Sequence, residues 1–222
     1  LYAASPMMNE ASGGPAAFDA ELCKQAAAAF SELINLSTST GMYELFDFDH
    51  WTENFWVWSP GNLVLPGGKE YIMPTPIFNN GRVRFQSVGR HSPVQLGQGN
   101  NNVEVPAHNY VKNYGMANGL PISDPASGYN ANDPWTDREP RFYVDIILDG
   151  DQLVNSTSAG VDRFAQLYNG GRHRGGQQGS ATGYFLRRFN PLGCNSWDEG
   201  WANFQSSFAF LRLADVYLMY AE

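Results

Sequence analysis

The segment from Phe208 to Glu222 constrains this chain more than any other. Phe208, Phe210, Leu211, Leu213, Val216, Tyr217, Leu218, Met219 and Tyr220 are interrupted only by Ala and by the charges Arg212, Asp215 and Glu222. A short helix that is apolar on nearly every side needs cover on two sides, as in stacked helix pairs. A second periodic segment runs over 15–36. Pro15 suits a helix start. Phe18, Leu22, Ala26, Ala29, Phe30, Leu33 and Ile34 fall on one stripe at helical spacing. The Ala-rich run 26–29 favours helix and permits close packing on a neighbour. Gly41 closes the unit. Leu1–Ala4 reads as a helix tail stopped by Ser5 and Pro6.

Between these helices regularity is scarce. From Tyr43 to Pro106, Asn, Gly, Pro and aromatic residues dominate, among them Trp51, Phe55, Trp56, Trp58 and Tyr71. An aperiodic stretch of that length is usually a functional excursion from a scaffold. Val105–Tyr114, with Pro106 in its first turn, predicts a short helix over about 105–115. Phe142–Leu148 is dense in β-formers and predicts a strand, with Asp149 and Gly150 as a hairpin-type turn. Tyr184–Phe189 alternates and predicts a second strand. Gly170–Gly183 reads as a flexible surface loop rich in Gly, Gln and Arg.

Composition narrows the function. The 222 residues suffice for a sizeable core, but 23 Gly and 13 Pro commit much of the chain to turns. A net charge of −8 argues against a nucleic-acid backbone as partner. No run approaches 18 apolar residues, so no helix predicted here spans a membrane. Cys23 and Cys194 read as unrelated thiols, and with His50, His91, His108 and His173 scattered, no metal site is expected. Both ends read as cut: the chain opens on Leu1 without a targeting signal and stops inside a helix. An internal piece of a longer protein is expected.

The acidic groups Asp47, Asp49 and Glu53, and Asp198–Glu199 between Trp197 and Trp201, invite a glycosidase reading. Spacing within one loop does not place two carboxylates across a scissile bond, so solvated loop acids are the better reading. No GxSxG, HExxH or P-loop order is present, although Gly170–Gly176 is basic. The aromatic residues are more informative. Trp51, Trp56 and Trp58 lie in a polar stretch, where their rings either stack on the C–H faces of sugars or pin the loop to the scaffold. For Trp135 core anchoring leads.

Three segments carry a resemblance. Phe210–Glu222 is similar to an RLAE-type helix. Asn118–Ile122, Ser127–Tyr129, Asp133–Trp135 and Arg138–Tyr143 closely match an "NGLPI … GY … NPW … RDPRFY" stretch. Asp133 stands where Asn is common, and Glu139 where Asp is. The third is Leu1–Pro6 with the Ala-rich helix after it. Together they resemble the SusD/RagB family of Bacteroidetes outer-membrane nutrient-binding lipoproteins, over most of the chain except roughly 45–105.

The resemblance implies a mainly α fold, a scaffold of TPR-like helix pairs with long loops and a short β element. The chain would be one such domain fragment over 1–222, with the loop-rich excursion at about 45–105. It implies a non-enzymatic protein, without cofactor, held at the cell surface by an N-terminal lipid anchor missing from this stretch. That protein would capture oligosaccharide, or in some members peptide, and deliver it to a SusC-like TonB-dependent transporter. The motifs Pro134–Trp135 and Arg141–Tyr143 read as scaffold, not as ligand contacts. The ligand-binding residues expected are Trp51, Trp56, Trp58 and Tyr71, with Trp197 and Trp201 behind them. The runner-up class is a glycoside hydrolase using Asp47 and Glu53.

Overall fold

The computed structural model describes residues 1–58, 68–74, 89–93, 96, 104–158, 160, 162–175, 179–188, 190–198, 204–206 and 209–222; of 53, 56–58, 89 and 204–206 it describes the backbone alone. The chain divides into two compact units. One contains Leu1–Trp56, Leu65–Pro76 and Ser207–Glu222, the other Val57–Val64 and Ile77–Ser206.

The first unit is built on a helix pair. A 3-10 turn, Tyr2–Ala4, leads into a short helix, Pro6–Ala11, whose Ser5 cap accepts from the Met8 amide at 3.4 Å. The long helix is Ala20–Thr40. It begins later than the stripe suggests because Asp19, not Pro15, supplies the cap: its Oδ1 accepts from the amides of Glu21 at 2.9 Å and Leu22 at 3.0 Å. It also runs further. Thr38 and Thr40 turn their hydroxyls back onto the carbonyls of Ile34 and Leu36, so the Ser/Thr run continues the helix. Gly41, at φ 63°, ends it, donating its amide to Ser37.

The Leu213–Ala221 helix packs against it, burying Leu213 and Val216. The expected helix over 207–222 is therefore shorter. Ala209–Arg212 is extended and pairs antiparallel with Tyr71–Pro74, in the register Tyr71↔Arg212 and Pro74↔Ala209. Asp215 decides the boundary. Its carboxylate accepts from the Arg212 amide at 2.9 Å and holds the Arg212 guanidinium at 3.2 Å, which starts the helix at Leu213.

Among the described residues the second unit has two buried clusters. Leu96, Ile147, Leu153, Val154 and Phe185 belong to one; Val111, Tyr114, Phe142, Ile146 and Tyr184 belong to the other, with Trp135 packed on it. The helix expected over 105–115 is the single turn His108–Val111. The strand expected over 142–148 is mostly a helix, Pro140–Asp145, followed by the two-residue strand Ile146–Ile147. Pro140 sits at the first helical position with its φ already set, and the helix buries Phe142 and Asp145 three residues apart. Ile146–Ile147 pairs antiparallel with Phe185–Leu186, so the second expected strand is present but short. Asp149 and Gly150 do form a turn, with Gly150 at φ 83°. It leads to a bridge between Gln152 and Phe164.

Candidate functional site

The expected ligand rings fall into different environments. In the first unit the 3-10 segment Phe48–Asn54 carries Trp51. Its indole is half-buried, stacked on Phe48 at 6.4 Å and edge-on to Phe55 at 5.0 Å. Tyr71 is buried, at 7% exposure, and its hydroxyl donates to the Asn54 carbonyl. Asn54 in turn donates to Glu70 Oε2 at 3.1 Å, which also accepts from the Phe46 amide at 3.0 Å. Burial pushes the Tyr71 phenol up to about 12. Tyr71 therefore ties strand to loop, with little of its surface open. Trp56 and Trp58 contribute backbone to a strand, Trp56–Trp58, their side chains lying outside the described atoms. Trp201 lies outside the described residues.

Trp197, placed behind the other rings on sequence grounds, has the best geometry of the rings described. It is 38% exposed and sits on a turn that is tied down on three sides. The buried Asn195 carboxamide accepts from the amides of Trp197 and Asp198, both at 2.9 Å. Asp198 accepts from the amides of Asn155 at 2.9 Å and Ser156 at 2.7 Å, and from Asn195 Nδ2 at 2.8 Å. The Ser196 amide donates to Leu96 at 2.8 Å. Asp198 is thus a structural clamp and not a solvated acid. The result is a large ring presented by a rigid loop, the arrangement a stacking platform needs.

The motif stretch is scaffold, but through a residue the sequence reading passed over. Arg138, 3% exposed, donates its guanidinium protons among the described residues to backbone carbonyls: Gly115 at 3.2 Å, Pro134 at 2.9 Å, Val111 at 3.4 Å and Tyr114 at 2.6 Å. Its guanidinium lies 4.4 Å from the Phe142 ring centre. Desolvation lowers its pKa from the usual value. Trp135 stacks on Phe142 at 6.0 Å, in keeping with core anchoring. Arg141 is exposed and pairs with Glu139 at 2.7 Å.

In the basic stretch 170–176, the described residues 170–175 bury Gly171 and His173. His173 is fully buried; its Nδ1 accepts from the Gln166 amide at 3.0 Å, so the proton resides on Nε2, 4.0 Å from Asp162. Desolvation lowers its pKa in spite of that carboxylate. Two glycines permit the packing. A Cβ on Gly171 would meet the Gln166 carbonyl oxygen at 2.4 Å, and one on Gly179 the His173 carbonyl oxygen at 2.7 Å. Gly171→Ala and Gly179→Ala are each expected to lose about 2–3 kcal/mol, the scale of overpacking against backbone, read as a lower urea midpoint.

The two cysteines are free thiols, and burial pushes Cys194 up to about 12. Among the described residues no group of three His, Cys, Asp or Glu is placed to hold a metal, and no helix is long and apolar enough to cross a membrane.

The fold is a helix-paired unit and a loop-rich unit whose motif belt is hung on one buried arginine. Residues 69–222 match the model of the SusD family, and the chain belongs to that family. Among solved structures, selenomethionine BT4246, a Bacteroides SusD-like protein, superposes with a TM-score of 0.56 at 18% identity. The match takes in 94% of this chain and 44% of that one, so the chain spans under half the length of that relative. No curated protein matches the sequence.

Proposed function

We propose that this chain is part of a non-catalytic nutrient-capture protein at the outer-membrane surface. It binds oligosaccharide there and hands it to a SusC-like TonB-dependent transporter, held in place by an N-terminal lipid anchor. Membership of the SusD family over residues 69–222 is the observation that carries this reading. Exposed Trp197 on its clamped turn supports a glycan as ligand, because a neutral sugar offers an acidic protein no charge to grip. Affinity then rests on stacking area and fixed hydrogen bonds. Trp197 leads the proposed contacts, with Trp51, Trp56, Trp58 and Trp201 as further rings.

The test is retardation of the full-length protein in gels containing polysaccharide, alongside a reducing-end assay and copurification from detergent-extracted membranes. Retardation without release of reducing ends, together with a large outer-membrane partner, is expected. Release of reducing ends would instead favour the hydrolase. Trp197→Ala is expected to weaken glycan binding roughly five- to a hundredfold, the loss of one stacking ring. Stability should change by about 1 kcal/mol or less. A sharp fall in melting temperature with unchanged binding would make Trp197 a loop anchor.

A further inference from the structure

The loop-rich unit carries two hollows that share one wall, the ring of Tyr110, which is 44% exposed. On one side lies a hollow of about 190 Å³, bordered by Tyr110, Asn113, Tyr114, Arg141 and Arg188 together with carboxylates. On the other lies one of about 280 Å³, where Val105, Pro106 and Leu186 supply apolar surface and His91 and Glu104 a polar edge.

The hydrogen-bond polarity of the first hollow is settled by its buried end. Asp145 Oδ2 accepts from the Tyr114 hydroxyl at 2.7 Å, and the Arg188 guanidinium grips the same carboxylate at 3.0 and 2.5 Å. A carboxylate held this way donates nothing, so the single Tyr114 proton points inward. The contact between the Tyr110 and Tyr114 hydroxyls, at 3.1 Å, must then run from Tyr110 to Tyr114. Tyr110 Oη is left with lone pairs to offer the hollow, and no proton. Asn113, exposed, and Arg141 bring N–H donors to the same wall. The charges cancel locally, Arg141 against Glu139 and Arg188 against Asp145.

A partner that suits both sides must donate to Tyr110 and accept from Asn113 or Arg141. A hydroxyl does both, as does an amide, whereas a carboxylate cannot donate and an ammonium cannot accept; the glycan-capture reading selects the hydroxyl. The apolar wall beyond the Tyr110 ring suits the C–H face of a second ring.

We propose that the Tyr110 ridge is a binding site for a neutral, hydroxyl-rich ligand, a short run of a glycan chain laid across both hollows. This site rests on the glycan-capture reading and adds a contact surface to it, separate in sequence from the Trp197 turn.

The full-length protein and its Tyr110→Ala, Tyr110→Phe, Asn113→Ala and Trp197→Ala variants would be titrated in affinity gels with amylopectin, arabinoxylan, yeast mannan and inulin. Melting temperatures would be measured in parallel. For whichever polysaccharide the unaltered protein binds, Tyr110→Ala should weaken binding at least about tenfold, by loss of ring and hydroxyl together. Tyr110→Phe and Asn113→Ala should each weaken it about fivefold, one hydrogen bond apiece. Asn113→Ala decides the matter if Tyr110→Ala melts early, because the Asn113 side chain lies at the surface. Unchanged affinity in the Tyr110→Phe and Asn113→Ala variants, with binding lost in Trp197→Ala, overturns the ridge and leaves the capture reading standing. No retardation of the unaltered protein by any of the four glycans overturns both.

Discussion

Arg138→Ala is expected to cost about 4 kcal/mol, the largest loss from any single truncation in the motif belt, because hydrogen bonds to a charged donor are worth roughly 1.5–3 kcal/mol each when buried. One guanidinium serves carbonyls from Val111, Tyr114, Gly115 and Pro134, which joins the segment around the His108–Val111 turn to the segment before the Pro140–Asp145 helix. Removing it leaves those carbonyls facing a cavity beside Phe142 and strips the ring of its cation. The local chain is braced further by Tyr143, whose hydroxyl accepts from the Arg138 amide at 3.0 Å and donates to the Trp135 carbonyl at 2.6 Å. Arg138→Lys keeps the charge but lacks the planar fork, and is expected to recover no more than about half of the loss. Urea unfolding checks the magnitude. Hydrogen exchange at Phe142 and Ile146 checks the place. Lysine equal to arginine on both measures would mean that charge alone matters there.

Asp145→Ala is the second large effect, about 3 kcal/mol, near the lower end for breaking a buried pair because Arg188 retains some access to water. Asp145 is 1% exposed and accepts from Arg188 Nε, Arg188 Nη2 and the Tyr114 hydroxyl at once. Truncation takes that shared acceptor away from a phenol proton and a guanidinium. Asp145→Asn keeps one acceptor oxygen and is expected to cost about half as much. A double-mutant cycle separates the pair from its surroundings. Asp145→Ala with Arg188→Ala should cost clearly less than the two single changes added, because each single change already removes the contact between them. Simple additivity would show that the ion pair is not the source of the loss.

These two residues also mark where sequence reading stops. The helix at 15–36 is legible because a periodic apolar stripe reports burial, and the one at 207–222 because it is apolar on nearly every side. Their true limits, Ala20–Thr40 and Leu213–Ala221, were set by Asp19 and Asp215, side chains that look like any surface acid until their amide partners are in place. Phe142–Leu148 reads as a strand by composition. Pro140 and the need to bury Phe142 and Asp145 on one face turned most of it into a helix. The rings of the aperiodic stretch carried no such signal. Tyr71 and Trp197 sit in equally irregular sequence, yet one is buried and tied to Asn54 while the other stands exposed on a turn.

By itself the sequence determined the two helices, through one 3.6-residue apolar stripe and one segment apolar on nearly every side, and the family, through the motifs between Asn118 and Tyr143 and the helix near Glu222. Only the tertiary structure decided which of two arginines three residues apart would be internal. Arg138 and Arg141 are identical as sequence symbols. Arg138 meets four carbonyls converging from 111–115 and 134, whereas Arg141 meets Glu139 at the surface. A guanidinium can be buried only where the fold gathers acceptors from distant segments to replace water, and that gathering is a property of the assembled chain.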